Sequence, residues 1–178
     1  MIEKIKSPRF VVLSLLVLLA ACTRALPLLI PHSWNFTAIG ALAIFAGAQF
    51  KDSRFAFAMP LAAMVLADLF IIGEGFDLLV YIGFVFMVAC GVCIRGRADL
   101  FRVGLASVVG TLVFYLITNF AYFYTQDIHP HNWAGVVESY VVALPFLRNM
   151  LIGDLFYGVL LFGGFHFIEK HYPILSIS

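Results

Sequence analysis

Apolar runs of about 20 residues recur along this chain, and that spacing constrains the fold more than any motif does. A helix of that length rises about 30 Å, the thickness of a bilayer's hydrocarbon core. In lipid a spanning segment must satisfy its own backbone hydrogen bonds, so helices are the expected element. Length places spans near residues 9–29, 36–50, 55–72, 78–94, 102–124 and 147–168. The second rises only about 22 Å, so it sits short or begins within the loop before it. The breaks fall at Pro31-His32-Ser33, Lys51-Asp52-Ser53-Arg54, Gly73-Glu74-Gly75, Arg95-Gly96-Arg97 and the longer connection 125–146. The chain reads as one all-α integral membrane domain over residues 1–178, a six-helix bundle.

Composition agrees. Only 12% of the 178 residues are charged and 63% are hydrophobic. Soluble domains carry about 25% charged residues, so a water-soluble fold could not cover its exterior here. A net charge of +1 gives no reason to expect nucleic acid. Three cysteines, an odd number, argue against a disulfide framework. Cys90-x-x-Cys93 lacks a second ligand pair and reads as packing thiols, so neither a metal nor a cofactor is expected there.

Charge placement orients the spans. With the N-terminus in the cytoplasm, Lys4, Lys6, Arg9, Lys51, Arg54, Arg95, Arg97, Arg102 and Lys170 share the cytoplasmic side. Only Arg24 and Arg148 of the 11 basic residues fall opposite. That positive-inside bias places both termini in the cytoplasm, as expected of a plasma-membrane protein. Leu19-Ala20-Ala21-Cys22, after Lys4 and Lys6, also reads as a lipobox. Cleavage there would delete the first span and leave Arg24 near a new terminus, so the uncleaved helix is the expected form.

Small residues line the second span, where Ala43-x-x-x-Gly47 permits close helix approach; Val159–Gly164 in the last span reads the same way. Polar groups inside a membrane are costly and face a cavity or a partner. In this topology Arg24, Asp68, Asn119, Arg148, Asn149 and Asp154 all fall toward the outer ends of their spans, near the loop residues His32, Ser33, Trp34 and Asn35. The arginines and carboxylates are expected to pair, which offsets part of each desolvation cost. In the 125–146 connection the spacing from Trp133 onward suits an amphipathic helix at the outer interface, placed as a lid. His32, His129 and His131 lack the tight spacing of a metal site.

Two blocks carry a resemblance. Residues 24–37 read R-x-L-P-x-x-x-P-H-x-x-N-F-T, and residues 144–155 read L-P-F-x-x-N-x-x-x-G-D-L. With "MPLAAMVLADLFIIG" and "LITNFAYF", they resemble an uncharacterised bacterial membrane family related to the S (substrate-binding) components of energy-coupling-factor (ECF) vitamin transporters. The resemblance implies an S-component-like bundle of six helices with a small-molecule site near the outer surface. It also implies ECF-type coupling and ATPase subunits as partners. The Ala-x-x-x-Ala on which a coupling subunit docks belongs on the inner half of helix 1, whereas here Ala21 and Ala25 stand at the outer end.

The expected function is therefore uptake of a vitamin-like solute, not catalysis. Arg24, His32, Asn35, Asp68, Asn119, Arg148, Asn149 and Asp154 supply polar contacts and Trp34 and Trp133 supply apolar walls. No G-x-x-x-x-G-K-[ST] is present, so ATP would be used only by partners. An intramembrane aspartyl enzyme using Asp68 and Asp154 is the alternative, and it needs the two carboxyls about 3 Å apart. A non-transporting scaffold is the third reading.

Overall fold

The computed structural model describes residues 7–30, 35–73, 76–125 and 128–175. The expectations for His32 and Trp34 lie outside these residues. The described chain is all-α. Helix α1 (Pro8–Ala21) starts on Ser7, whose side chain accepts the Phe10 N–H, with Pro8 in the first turn where its missing donor costs nothing. It runs on through a 3₁₀ turn (Cys22–Ala25) into α2 (Leu26–Leu29). Helix α3 (Ile39–Gln49) follows, then α4 (Ser53–Ala67), capped by Asp52 and continued by a π-helical turn (Asp68–Ile72). Helix α5 (Leu78–Cys93) is capped by Asp77. Helices α6 (Leu100–Thr125), α7 (Trp133–Val142) and α8 (Leu144–His171) complete the order before a 3₁₀ turn at Pro173–Leu175.

Four segments are long and apolar enough to cross a bilayer: Pro8–Leu29, Ser53–Ile72, Leu100–Phe120 and Leu144–His171. Helices α3 and α5 are apolar but shorter. The chain is a multi-pass membrane protein by this measure. Its lipid-like exterior includes Leu19, Leu69, Phe70, Phe101 and Leu160, all exposed. The last helix begins three residues before the expected span, because Pro145 suits a first turn.

Helix α3 is the centre of the fold. Every residue from Ile39 to Ala48 is buried, against α1, α4, α5, α6 and α8. A helix apolar on all sides is a buried one, and its small residues let the neighbours close in. A methyl group on Gly47 would overlap the Val88 carbonyl of α5, and one on Gly91 would overlap the Ile44 carbonyl of α3. The two backbones therefore cross in direct contact. The last span differs: Gly163 and Gly164 meet nothing within 4 Å, so the expected close packing there is corrected. They sit on an outward-facing stretch of α8.

The ends of α3 lie inside the protein, because at 11 residues it is too short to reach both interfaces. Its last carbonyls are met by arginines. Arg95 donates from Nε and Nη2 to Gly47 O at 3.1 and 3.0 Å and from Nη1 to Lys51 O at 3.0 Å. Arg9 donates to the Gln49 side chain at 2.8 Å, pairs with Glu169 at 2.7 Å, and lies over the Phe165 ring. Cations at a helix C-terminus complement its dipole. These contacts mark the basic end of the bundle.

Candidate functional site

Away from the basic end, two separate polar groups form. Counting helical rise, Arg24 stands about 22 Å from Arg9, Asp68 about 21 Å from Arg54, and Asp154 about 22 Å from Glu169.

The first group joins three segments. Arg24 Nη2 lies 2.6 Å from Asp68 Oδ1, and the Tyr81 hydroxyl donates to Asp68 Oδ2 at 2.6 Å. Arg24 comes from the 3₁₀ turn after α1, Asp68 opens the π turn after α4, and Tyr81 lies in the first turn of α5. The π turn closes with Gly73 N donating to Asp68 O at 2.8 Å, and Gly73 takes a left-handed φ of 73° that glycine adopts without strain. Both charged residues thus sit where the helix departs from α geometry, as helix distortions at functional sites often do. Asp68 is 7% exposed, so its charge depends on these partners. Arg24 Nε is buried with no acceptor among the described residues.

The second group surrounds Asp154, which is 0% exposed. Its Oδ1 accepts the Ala41 N–H at 2.9 Å and its Oδ2 lies 2.7 Å from Thr111 Oγ1. Gly40 leaves the space that the carboxylate fills, since a Cβ there would overlap it. One turn before Thr111 on α6, Ser107 Oγ is buried without a partner, beside Gly158. Nearby, the Thr23 hydroxyl accepts the Ala38 N–H at 2.7 Å and fixes the entry to α3.

The remaining expected residues do not join either group. Arg148 is exposed and reaches Asn149 Oδ1 at 3.4 Å. Of the two arginines expected to pair with carboxylates, Arg148 meets none among the described residues, and six residues on a helix place it about 120° from Asp154 around the axis. Asn119 donates to the Tyr115 carbonyl one turn back on its own helix at 2.8 Å. Asn35 is exposed with a positive φ of 60°. Trp133 opens α7 and is 82% exposed, so it walls no enclosed site. Asp68 and Asp154 share no partner, and no contact joins them among the described residues.

The 125–146 connection does contain a helix. Asn132 caps α7 by accepting Gly135 N–H at 3.0 Å, and reciprocal bonds fasten it to α6: Tyr115 donates to Tyr140 O, and Tyr140 donates to Leu116 O at 2.9 Å. His129 lies 3.6 Å from Glu138, and His131 packs on Phe123. Among the described residues no three His, Cys, Asp or Glu side chains cluster as metal ligands, and the three cysteines are free thiols.

Two apolar grooves open on the surface. One, of about 260 Å³, runs between α1 and α8 along Leu16, Leu19, Thr23, Tyr157 and Leu160. The other, of about 440 Å³, lies beneath α7 along Leu79, Leu116, Ile117, Phe120 and Tyr140. Neither is lined by Arg24, Asp68, Tyr81 or Asp154.

A family model matches residues 4–175, nearly the whole chain. The chain belongs to DUF6580, a family of unknown function. The DUF6580 match takes in both sequence blocks, and hence Arg24, Asp68, Tyr81 and Asp154. No curated protein and no solved structure matches the chain. In this DUF6580 protein the contacts of Tyr81 and Thr111 carry no signature in the sequence. Both are uncharged and placed as ordinary helix residues; only the spans packed against them reveal their carboxylate partners.

Proposed function

We propose that this DUF6580 protein is a solute-uptake protein of the bacterial cytoplasmic membrane. It captures a small, vitamin-like molecule on the outer side and passes it inward. The observation that carries this reading is the buried Arg24–Asp68–Tyr81 group, contributed by three segments away from the basic end. Intramembrane ionisable groups are expensive and default to functional roles. Here Arg24 keeps an unmet donor at Nε, which an acceptor on a solute would satisfy.

The mechanism follows from the pair's closure. A solute carrying a carboxylate or carbonyl competes with Asp68 for the Arg24 fork. As the pair opens, the 3₁₀ and π turns on which the two residues sit adjust, since these turns hold fewer regular hydrogen bonds than an α-helix. Under this reading both termini lie in the cytoplasm, as the nine basic residues on one side favour, and the short helix α3 is held within the bundle by the helices that span. The S-component resemblance adds ECF-type coupling and ATPase subunits as partners.

A thermal-shift screen of the detergent-solubilised full-length protein against a panel of vitamins and nucleobases tests this. A hit that stabilises wild type but neither Arg24→Ala nor Tyr81→Phe supports it; a panel-wide absence of stabilisation, or shifts equal in all three proteins, counts against it.

A further inference from the structure

We propose that Asp154 is a proton-binding site, its carboxyl held as the neutral acid that donates to Thr111 Oγ1 while accepting the Ala41 N–H. This inference is independent of the solute reading, because the two groups share no residue.

The argument starts from burial. Asp154 is 0% exposed and closed in by three helices: α3 at Gly40 and Ala41, α6 at Thr111, and its own α8. Among the described residues two polar contacts reach the carboxyl, Ala41 N at 2.9 Å and Thr111 Oγ1 at 2.7 Å. Ala41 N–H must donate. A threonine hydroxyl both donates and accepts, so it serves the acid as well as the anion.

Among the described residues no cation balances the group. Helix α3, IGALAIFAGAQ, carries no ionisable side chain. On α6, Arg102 is paired with Asp99 at the basic end, and the Tyr115 hydroxyl is bonded to Tyr140 O. On α8, Arg148 projects to another face, Tyr157 packs on Phe36, and Glu169 is held by Arg9, with His166, Lys170 and His171 far toward the basic end. The 35–38 segment, which packs on Gly153 through Phe36 and Thr37, has no charge. A buried carboxylate without a cation neutralises in preference to bearing its desolvation penalty. One backbone N–H, one hydroxyl and a helix N-terminus return less than that penalty. Binding a proton is then what lets α3, α6 and α8 meet at this point.

Infrared difference spectroscopy of the full-length protein in detergent at neutral pH tests the proposal. Replacing Asp154 by Asn should remove a protonated-carboxyl C=O band, whereas Asp68→Asn should leave that band in place. Thr111→Val keeps the acid but removes its acceptor, so the band should persist at a shifted frequency. Loss of a carboxylate band in Asp154→Asn would overturn the proposal. So would sodium-dependent stabilisation at fixed pH that Asp154→Asn abolishes, which would make the group a metal-cation site. If Asp154→Asn does not fold, the Thr111→Val comparison decides: no acid band in wild type, or one indifferent to Thr111→Val, refutes it.

Discussion

Asp154 and Ala41 are joined at 2.9 Å in the first turn of a helix whose other end is held by two arginines. The sequence separation of 113 residues makes this a contact between the two halves of the chain. It satisfies one of the N–H groups that every helix leaves unbonded at its start. Arg95 and Arg9 do the same for the last carbonyls. Helix α3 thus rests inside the bundle with both ends bonded to protein, and the five neighbouring helices pack around it.

Arg95→Ala should destabilise the protein by about 2 kcal/mol, the scale of hydrogen bonds to a charged donor. Arg95→Lys should recover less than half of that, since a point charge cannot bond Gly47 O twice and also reach Lys51 O. Denaturant unfolding in mixed micelles measures both.

Glycine substitutions should divide sharply by position. Gly47→Ala and Gly91→Ala push against backbone carbonyls and should each cost about 1–3 kcal/mol, as overpacking does. Gly163→Ala and Gly164→Ala meet open space, and should be neutral or gain up to about 1 kcal/mol from helix propensity. The same unfolding assay separates the two sets.

Arg24→Ala should cost about 2 kcal/mol or more, because it strands a nearly buried Asp68 charge on the Tyr81 hydroxyl alone. Arg24→Met combined with Asp68→Asn should cost less than the sum of the single changes. A double-mutant cycle on unfolding free energies checks the coupling.

Tyr115→Phe and Tyr140→Phe each remove one bond between α6 and α7 and should cost about 1 kcal/mol. The loss should be local. Hydrogen exchange should accelerate across Trp133–Val142 while α3 stays protected.

Much of this arrangement is legible in sequence, for physical reasons. Apolar run length locates each of the six apolar helices to within a few residues, and four of them reach the length that bilayer thickness asks for. Arg24, Asp68 and Asp154 stand out because a charge in an apolar run needs a partner. What the sequence hides is which partner. Arg24 meets Asp68, but Asp154 meets a backbone N–H, a group present on every helix, and an uncharged threonine. Gly47 and Gly164 look alike in sequence, and only the crossing of α3 on α5 and the outward face of α8 tell them apart.

Native mass spectrometry of the full-length protein released from detergent micelles tests solute capture most directly. The account predicts a stoichiometric small-molecule adduct on wild type that Arg148→Ala retains and Arg24→Ala loses. An adduct equally abundant on Arg24→Ala, or none on wild type after gentle solubilisation, would contradict it.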